Sequence, residues 1–249
     1  MNIQEYLQNV VKWLESCFGA LSSSIPAPVF LKDSGYPRFR HTKRDDLLVS
    51  YLKGIQIVSS LNAALVLLRH GYVQEVGTLC RSIDDFVNEI YFLAAPLGDN
   101  GLSEDQRRFV EEFFQEEFSD TRSPLTSQQK RDRVPRRKIH AGLAKIQGQT
   151  TNPSDVQRLL DVNQKAFSGY VHGAYVHIMD IYGGSPPRFF TSGLLGTPKI
   201  EVWERQLTNQ VYRAMMASIV IAQRAPATEI TESLYSKLKA FERDLDLMP

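Results

Sequence analysis

The sequence is short of cysteine, of charge of one sign and of long unbroken apolar runs, and each shortage removes a class of protein. Only two cysteines, Cys17 and Cys80, occur in 249 residues. Small secreted domains stapled by disulfides need more of them in a shorter chain. Both fall in helix-like apolar patterns, the setting of reduced core thiols. The formal net charge is +1, so no global field draws the chain to nucleic acid or acidic lipid. The N-terminus, MNIQEYLQNVVKWLES, lacks the basic leader and continuous apolar segment of a signal peptide. The most apolar stretch, GIQIVSSLNAALVLL, reads as too short and too interrupted to span a bilayer. A cytoplasmic protein with no membrane partner is the expectation. P-loop, GxGxxG and GxSxG patterns are also missing, and no cofactor is expected.

What is present is helical periodicity. Hydrophobic residues make up 43% and charged residues 23%, ordinary globular usage. Ile3, Leu7, Val10, Leu14, Cys17 and Leu21 recur at spacings of three and four, predicting a helix over about 2–22. A Pro-rich stretch reads as a long loop, anchored by Val29, Phe30 and Tyr36. A central helix follows over about 44–70, and Gly71 closes it. The next, over about 73–95, ends at Pro96, and the short turn between the two makes them antiparallel neighbours. Ser103 is an N-cap for a Phe-rich acidic helix. Its phenylalanines, Phe109, Phe113, Phe114 and Phe118, suit a core or a homodimer contact.

Residues 120–138 read as a mobile basic loop, and a short helix is expected near 138–147. Asn152 and Pro153 open another helix that runs to Gly183-Gly184. A small hairpin is expected at most near 187–202, then two closing helices. The expected architecture is one all-α domain over 1–249, a bundle of long antiparallel helices.

The stretch FSGYVHGAYVHIMDIYGG holds two of the five histidines, His172 and His177. Five helical residues turn through about 500°, which would aim the two side chains roughly 140° apart. A metal pair on one helix wants i, i+4 spacing, so no metal site is expected. Lys165, Ser168, His172, Tyr175 and Met179 instead form a polar stripe at helical spacing. Gly169 and Gly173, one turn apart, would admit a second helix close to His172. In CRSIDDFVNEIY, Arg81, Asp85 and Glu89 share a face. The expectation is that Arg81 meets His172 across the bundle, where the two could hold a phosphate or carboxylate, with Asp84 or Asp85 orienting the imidazole.

The run KRDRVPRRKIH adds Lys130, Arg131, Arg133, Arg136, Arg137 and Lys138. The last four are candidates for phosphate contact, with a salt-dependent affinity. Aromatic rings for base stacking are missing from the run. The acids of the preceding helix, from Glu111 to Asp120, offer internal neutralisation as the alternative.

The arginine–acid patch LCRSIDDFVNEIYFL together with GYVHG resembles a family of bacterial all-helical proteins considered distant relatives of the HEPN superfamily. The resemblance covers residues 44–183. It implies a helical fold and membership of a superfamily that includes metal-independent ribonucleases and toxins. HEPN nucleases share an arginine and a later histidine with four to six residues between them. Here no arginine stands at that distance from His172, and Lys165 takes the outermost place. Three functions follow as expectations: an interaction or regulatory role in a bacterial stress or phage response, RNA cleavage by His172 and Arg81, or sensing of a small anion by the same residues.

Overall fold

The computed structural model describes residues 2–32, 37–99, 101–119, 123–128, 133–147 and 152–246. The expected positions Tyr36, Asp120, Lys130 and Arg131 lie outside them. Helix α1 (Ile3–Leu21) starts where the Asn2 side chain accepts the Gln4 amide. Helix α2 (Asp46–Arg69) is capped by Asp45, whose carboxylate accepts the Leu48 amide at 2.8 Å. Such caps satisfy amides that have no partner inside the helix. Helix α3 (Val73–Ala94) turns back along α2 after Gly71.

Helix α2 is the central element, packed by α1, by α3 and by the later helix α8 (Lys199–Arg224). By length and composition α2 is apolar enough to cross a membrane, which the interrupted look of its sequence hides. Within its most apolar window, 56% is buried inside the protein. Leu7, Leu61, Ile83 and Val211 meet Phe241 of α9 (Thr228–Asp246) in the larger apolar cluster. Each such side chain contributes about 1.5–3 kcal/mol by leaving water.

A second cluster gathers Phe92, Phe109, Ile139 and Leu143 beneath α4 (Glu104–Phe113) and α5 (Arg136–Gln147). Ser103 and Gln106 form a capping box at the start of α4. The Gln106 amide also donates to the carbonyls of Phe92 and Ala95 at 2.6 and 2.8 Å. One side chain therefore serves the beginning of α4 and the end of α3.

Four expectations change. The Pro-rich loop holds a ladder of β1 (Val29–Leu31) with β2 (Arg38–Arg40). Helix α4 stops at Phe113, and Phe118 lies beyond it, 40% exposed. Arg136, Arg137 and Lys138 belong to the first turn of α5, not to a loop. Helix α6 (Pro153–His172) ends ten residues early, because Gly173 takes φ 61°, a left-handed C-cap that reverses the chain. A short helix α7 (Tyr175–Ile178) and a tight ladder of β3 (Tyr182–Gly183) with β4 (Arg188–Phe189) follow. The second strand of this ladder falls inside the expected 187–202 window and the first lies a few residues before it.

Candidate functional site

The reversal at Gly173 divides the polar stripe. Lys165, Ser168 and His172 share α6, whereas Tyr175 and Met179 lie past the turn. Lys165 and His172 are exposed, Ser168 is half-buried and Tyr175 is 77% exposed. Among the described residues His172 makes no hydrogen bond or ion pair.

His177 is the histidine the fold uses. Its ring packs on Tyr170 edge to face at 4.3 Å, and Nε2 lies 3.2 Å from the Ala166 carbonyl. Its own carbonyl accepts the Gln74 side-chain amide at 2.6 Å. The close approach expected at Gly169 is therefore made by this returning imidazole, which occupies the space of a β-carbon there. No second helix is needed to explain that glycine.

Arg81 is engaged on its own helix by Asp85. Tyr170, near the end of α6, lies over Gly77 near the start of α3, and the two helices pack along each other, with Leu160 of α6 against the cluster that holds Phe92 and Leu93 from the end of α3, so α3 and α6 run antiparallel. Arg81 is four residues from Gly77 in one direction and His172 two residues from Tyr170 in the other. At ~1.5 Å per residue that separates them by roughly 9 Å along the axis. No hydrogen bond or ion pair joins them among the described residues: Arg81 pairs with Asp85, and His172 is exposed.

Arg81 belongs instead to a charged cluster buried in the bundle. Arg136 reaches Asp85 and Glu89, both at 2.9 Å, and Lys53 of α2 meets Glu89 at 2.5 Å. The Lys53 ammonium also lies 5.0–5.4 Å from the ring centres of Phe86, Phe109 and Phe113, a three-sided cation–π enclosure. On the neighbouring face Asp84 pairs with Arg213 and accepts from Gln210 at 3.0 Å. Burial pushes the Asp84 carboxyl up, against the pull of Arg213 and Gln210. The Arg81–Asp85–Glu89 face was readable as a helical pattern. Lys53, Gln210 and Arg213 were not, because they come from helices far away in sequence.

The other basic candidates are largely neutralised at home. Arg133 lies 3.8 Å from Glu112 and Lys138 2.8 Å from Asp105, and Arg136 is in the buried cluster. Arg137 is exposed. His140, at 1% exposure, points to Asp161 at 2.7 Å.

The groups that do converge line a cleft of about 430 Å³ between α6 and the start of α8. Phe167, Tyr170 and Trp203 form its aromatic wall; Tyr170 and Trp203 meet edge to face at 5.3 Å. At one end the Tyr170 hydroxyl donates to Asp180 at 2.8 Å, and Lys199 donates to the same carboxylate at 2.8 Å. Burial pushes the Asp180 carboxyl up, but the bonds from Lys199 and Tyr170 outweigh it and hold it below the usual range. Burial and that same carboxylate raise the Tyr170 hydroxyl. Asn163 and Gln206 add amide donors and acceptors along the cleft. The sequence concealed this site by presenting Tyr170 and Asp180 as parts of one helix. Only the reversal at Gly173 folds Asp180 back onto Tyr170.

Comparison with protein-family models, with curated proteins and with solved structures returned no significant match to this chain.

Proposed function

We propose that the protein is a regulatory binding module whose cleft between α6 and α8 takes a small planar ligand. The observation that carries the reading is the Tyr170–Asp180–Lys199 chain at the end of an aromatic cleft. A site of 300–1,000 Å³ with apolar walls and a few convergent polar groups is the usual form of a small-molecule site. Regulation follows from how lightly one wall is held. In α6 only Val156 is buried among the residues of the helix. A ligand between α6 and Trp203 would add to the ring contacts that Phe167 and Tyr170 make there, and would shift the helix toward its docked position.

The HEPN-like ribonuclease and the anion sensor both depend on His172 and Arg81 acting together. The separation along α3 and α6 favours neither.

The test is titration of the full chain with planar probes (indole, quinoline and salicylate), followed by tryptophan fluorescence and by amide exchange in α6. Saturable binding should perturb Trp203 and slow exchange across 159–172. Tyr170→Phe should weaken it by about tenfold, the worth of roughly 1.4 kcal/mol of lost hydrogen bonding. Probes that change Trp203 fluorescence equally in the wild type and in a Phe167→Ala, Tyr170→Ala variant would overturn the reading.

A further inference from the structure

A larger cavity lies elsewhere, between the β1–β2 ladder and the end of α4, with a volume of about 900 Å³. The register pairs Val29 with Arg40 and Leu31 with Arg38, so the two arginines point from one face of the ribbon. Phe30 and Phe39 occupy the opposite, exposed face. Both arginines turn toward Glu116, just past α4. Arg40 holds it with two bonds, Nε to Oε1 at 2.6 Å and Nη2 to Oε2 at 2.9 Å. Arg38 stands 4.0 Å from the same carboxylate. Arg44 also lines the cavity, its guanidinium 5.9 Å from the centre of the Phe114 ring. The bonds from Arg40, with the charges of Arg38 and Arg44, hold the Glu116 carboxyl below its ordinary range.

Two kinds of recognition meet here. Three guanidiniums gather about one carboxylate, a balance of three positive and one negative side chain among the described residues of the lining. The fork that Arg40 offers to Glu116 is the geometry it would offer to two oxygens of a phosphate. Against this charged end, Leu52, Phe113 and Phe114 supply an apolar wall, the two rings edge to face at 5.1 Å. Glu116 is 44% exposed along its side chain, so it can swing out without disturbing a core.

We propose that this cavity binds a nucleotide, its phosphate among Arg38, Arg40 and Arg44 and its base against Phe113 and Phe114. Glu116 occupies the place of the phosphate in the unliganded protein and competes with it. The nucleotide can be free or can be the end of a single strand; the recognition chemistry is shared. This site is separate from the cleft between α6 and α8, and uses none of its residues.

The experiment is calorimetric titration of the full chain with AMP, adenosine, inorganic phosphate and single-stranded RNAs of about five and ten nucleotides, at two salt concentrations. AMP should bind saturably, with adenosine and phosphate each at least about tenfold weaker, because each satisfies half of the site. Affinity should fall with salt. Arg40→Ala and Arg44→Ala should each weaken AMP by about tenfold or more, whereas Glu116→Gln should strengthen it several-fold by removing the competing charge. A general loss of structure cannot produce that gain, and far-UV circular dichroism with melting checks the arginine variants. RNA binding no tighter than AMP and insensitive to strand length marks a terminal nucleotide. Tighter binding that grows with length and has a steeper salt slope marks a strand. Tyr170→Phe should leave the part of AMP binding that depends on Arg40 unchanged. Absence of AMP and RNA binding in both the wild type and Glu116→Gln would overturn the proposal, as would binding indifferent to Arg40→Ala.

Discussion

The imidazole of His177 lies over the α-carbon of Gly169, in the space a β-carbon at that position would need. Eight residues of chain, reversed at Gly173, bring it there. The contact locks the returning segment onto α6 and so places Asp180 beside Tyr170.

A methyl group at Gly169 therefore meets the ring, although alanine is the better helix former. Overpacking costs about 1–3 kcal/mol, and the helix preference returns roughly 1 kcal/mol. Gly169→Ala should lower the stability measured by urea unfolding by up to about 2 kcal/mol. Added to His177→Ala, the same change should be neutral or stabilising. Equal effects in the two backgrounds would show that the ring is not the obstacle.

Glu89 is the pivot of the buried cluster, holding Lys53 at 2.5 Å and Arg136 at 2.9 Å. Glu89→Leu leaves the Lys53 ammonium enclosed by three phenyl rings with no carboxylate, a loss of about 3–5 kcal/mol. Lys53→Met should cost less, about 1–3 kcal/mol, because Glu89 keeps Arg136. Lys53→Met with Glu89→Leu should recover most of the deficit, since replacing a buried pair by apolar side chains is often close to neutral. Chemical denaturation of the three variants gives the cycle.

Asp84 and Asp180 should give pH dependences of opposite sign. Asp84 is raised in the folded chain, so the native state binds its proton more tightly than the unfolded state. Its contribution to stability is greatest below the unfolded value near pH 3.8 and declines as pH rises through the folded value. Asp180 is lowered; its contribution is present above the unfolded value and is lost as pH falls through the folded one. Unfolding followed from pH 7 to pH 4 should therefore show, for Asp84→Asn relative to the wild type, a smaller gain or a larger loss of stability. An identical pH profile would mean that Asp84 titrates alike in both states.

Local pattern carried much of the fold into view. Ser103, Asn152 and Gly71 mark helix ends by chemistry that operates within a few residues. The periodicity of α2 and α3 survives because their apolar faces meet one core. The site was hidden for the opposite reason. Tyr170, Asp180 and Lys199 are assembled by a left-handed glycine that a helical reading of GYVHGAYVH passes over, since Gly tolerates both conformations. Arg38 and Arg40 looked like part of a loop, because three-residue strands leave too little alternation to register. Lys53 looked like one polar residue on an apolar helix. Its enclosure requires α3 and α4 to be in place.

Asp84 and Arg213 are separated by 129 residues. Synthesis at ~5–20 residues per second would deliver the arginine roughly 6–26 s after the aspartate. For that interval α2 and α3 can pair with each other, but the carboxylate that ends at 2% exposure has no guanidinium to meet. Water must serve it until α8 docks. The face of α3 that carries Asp84 therefore cannot close until α8 docks on it.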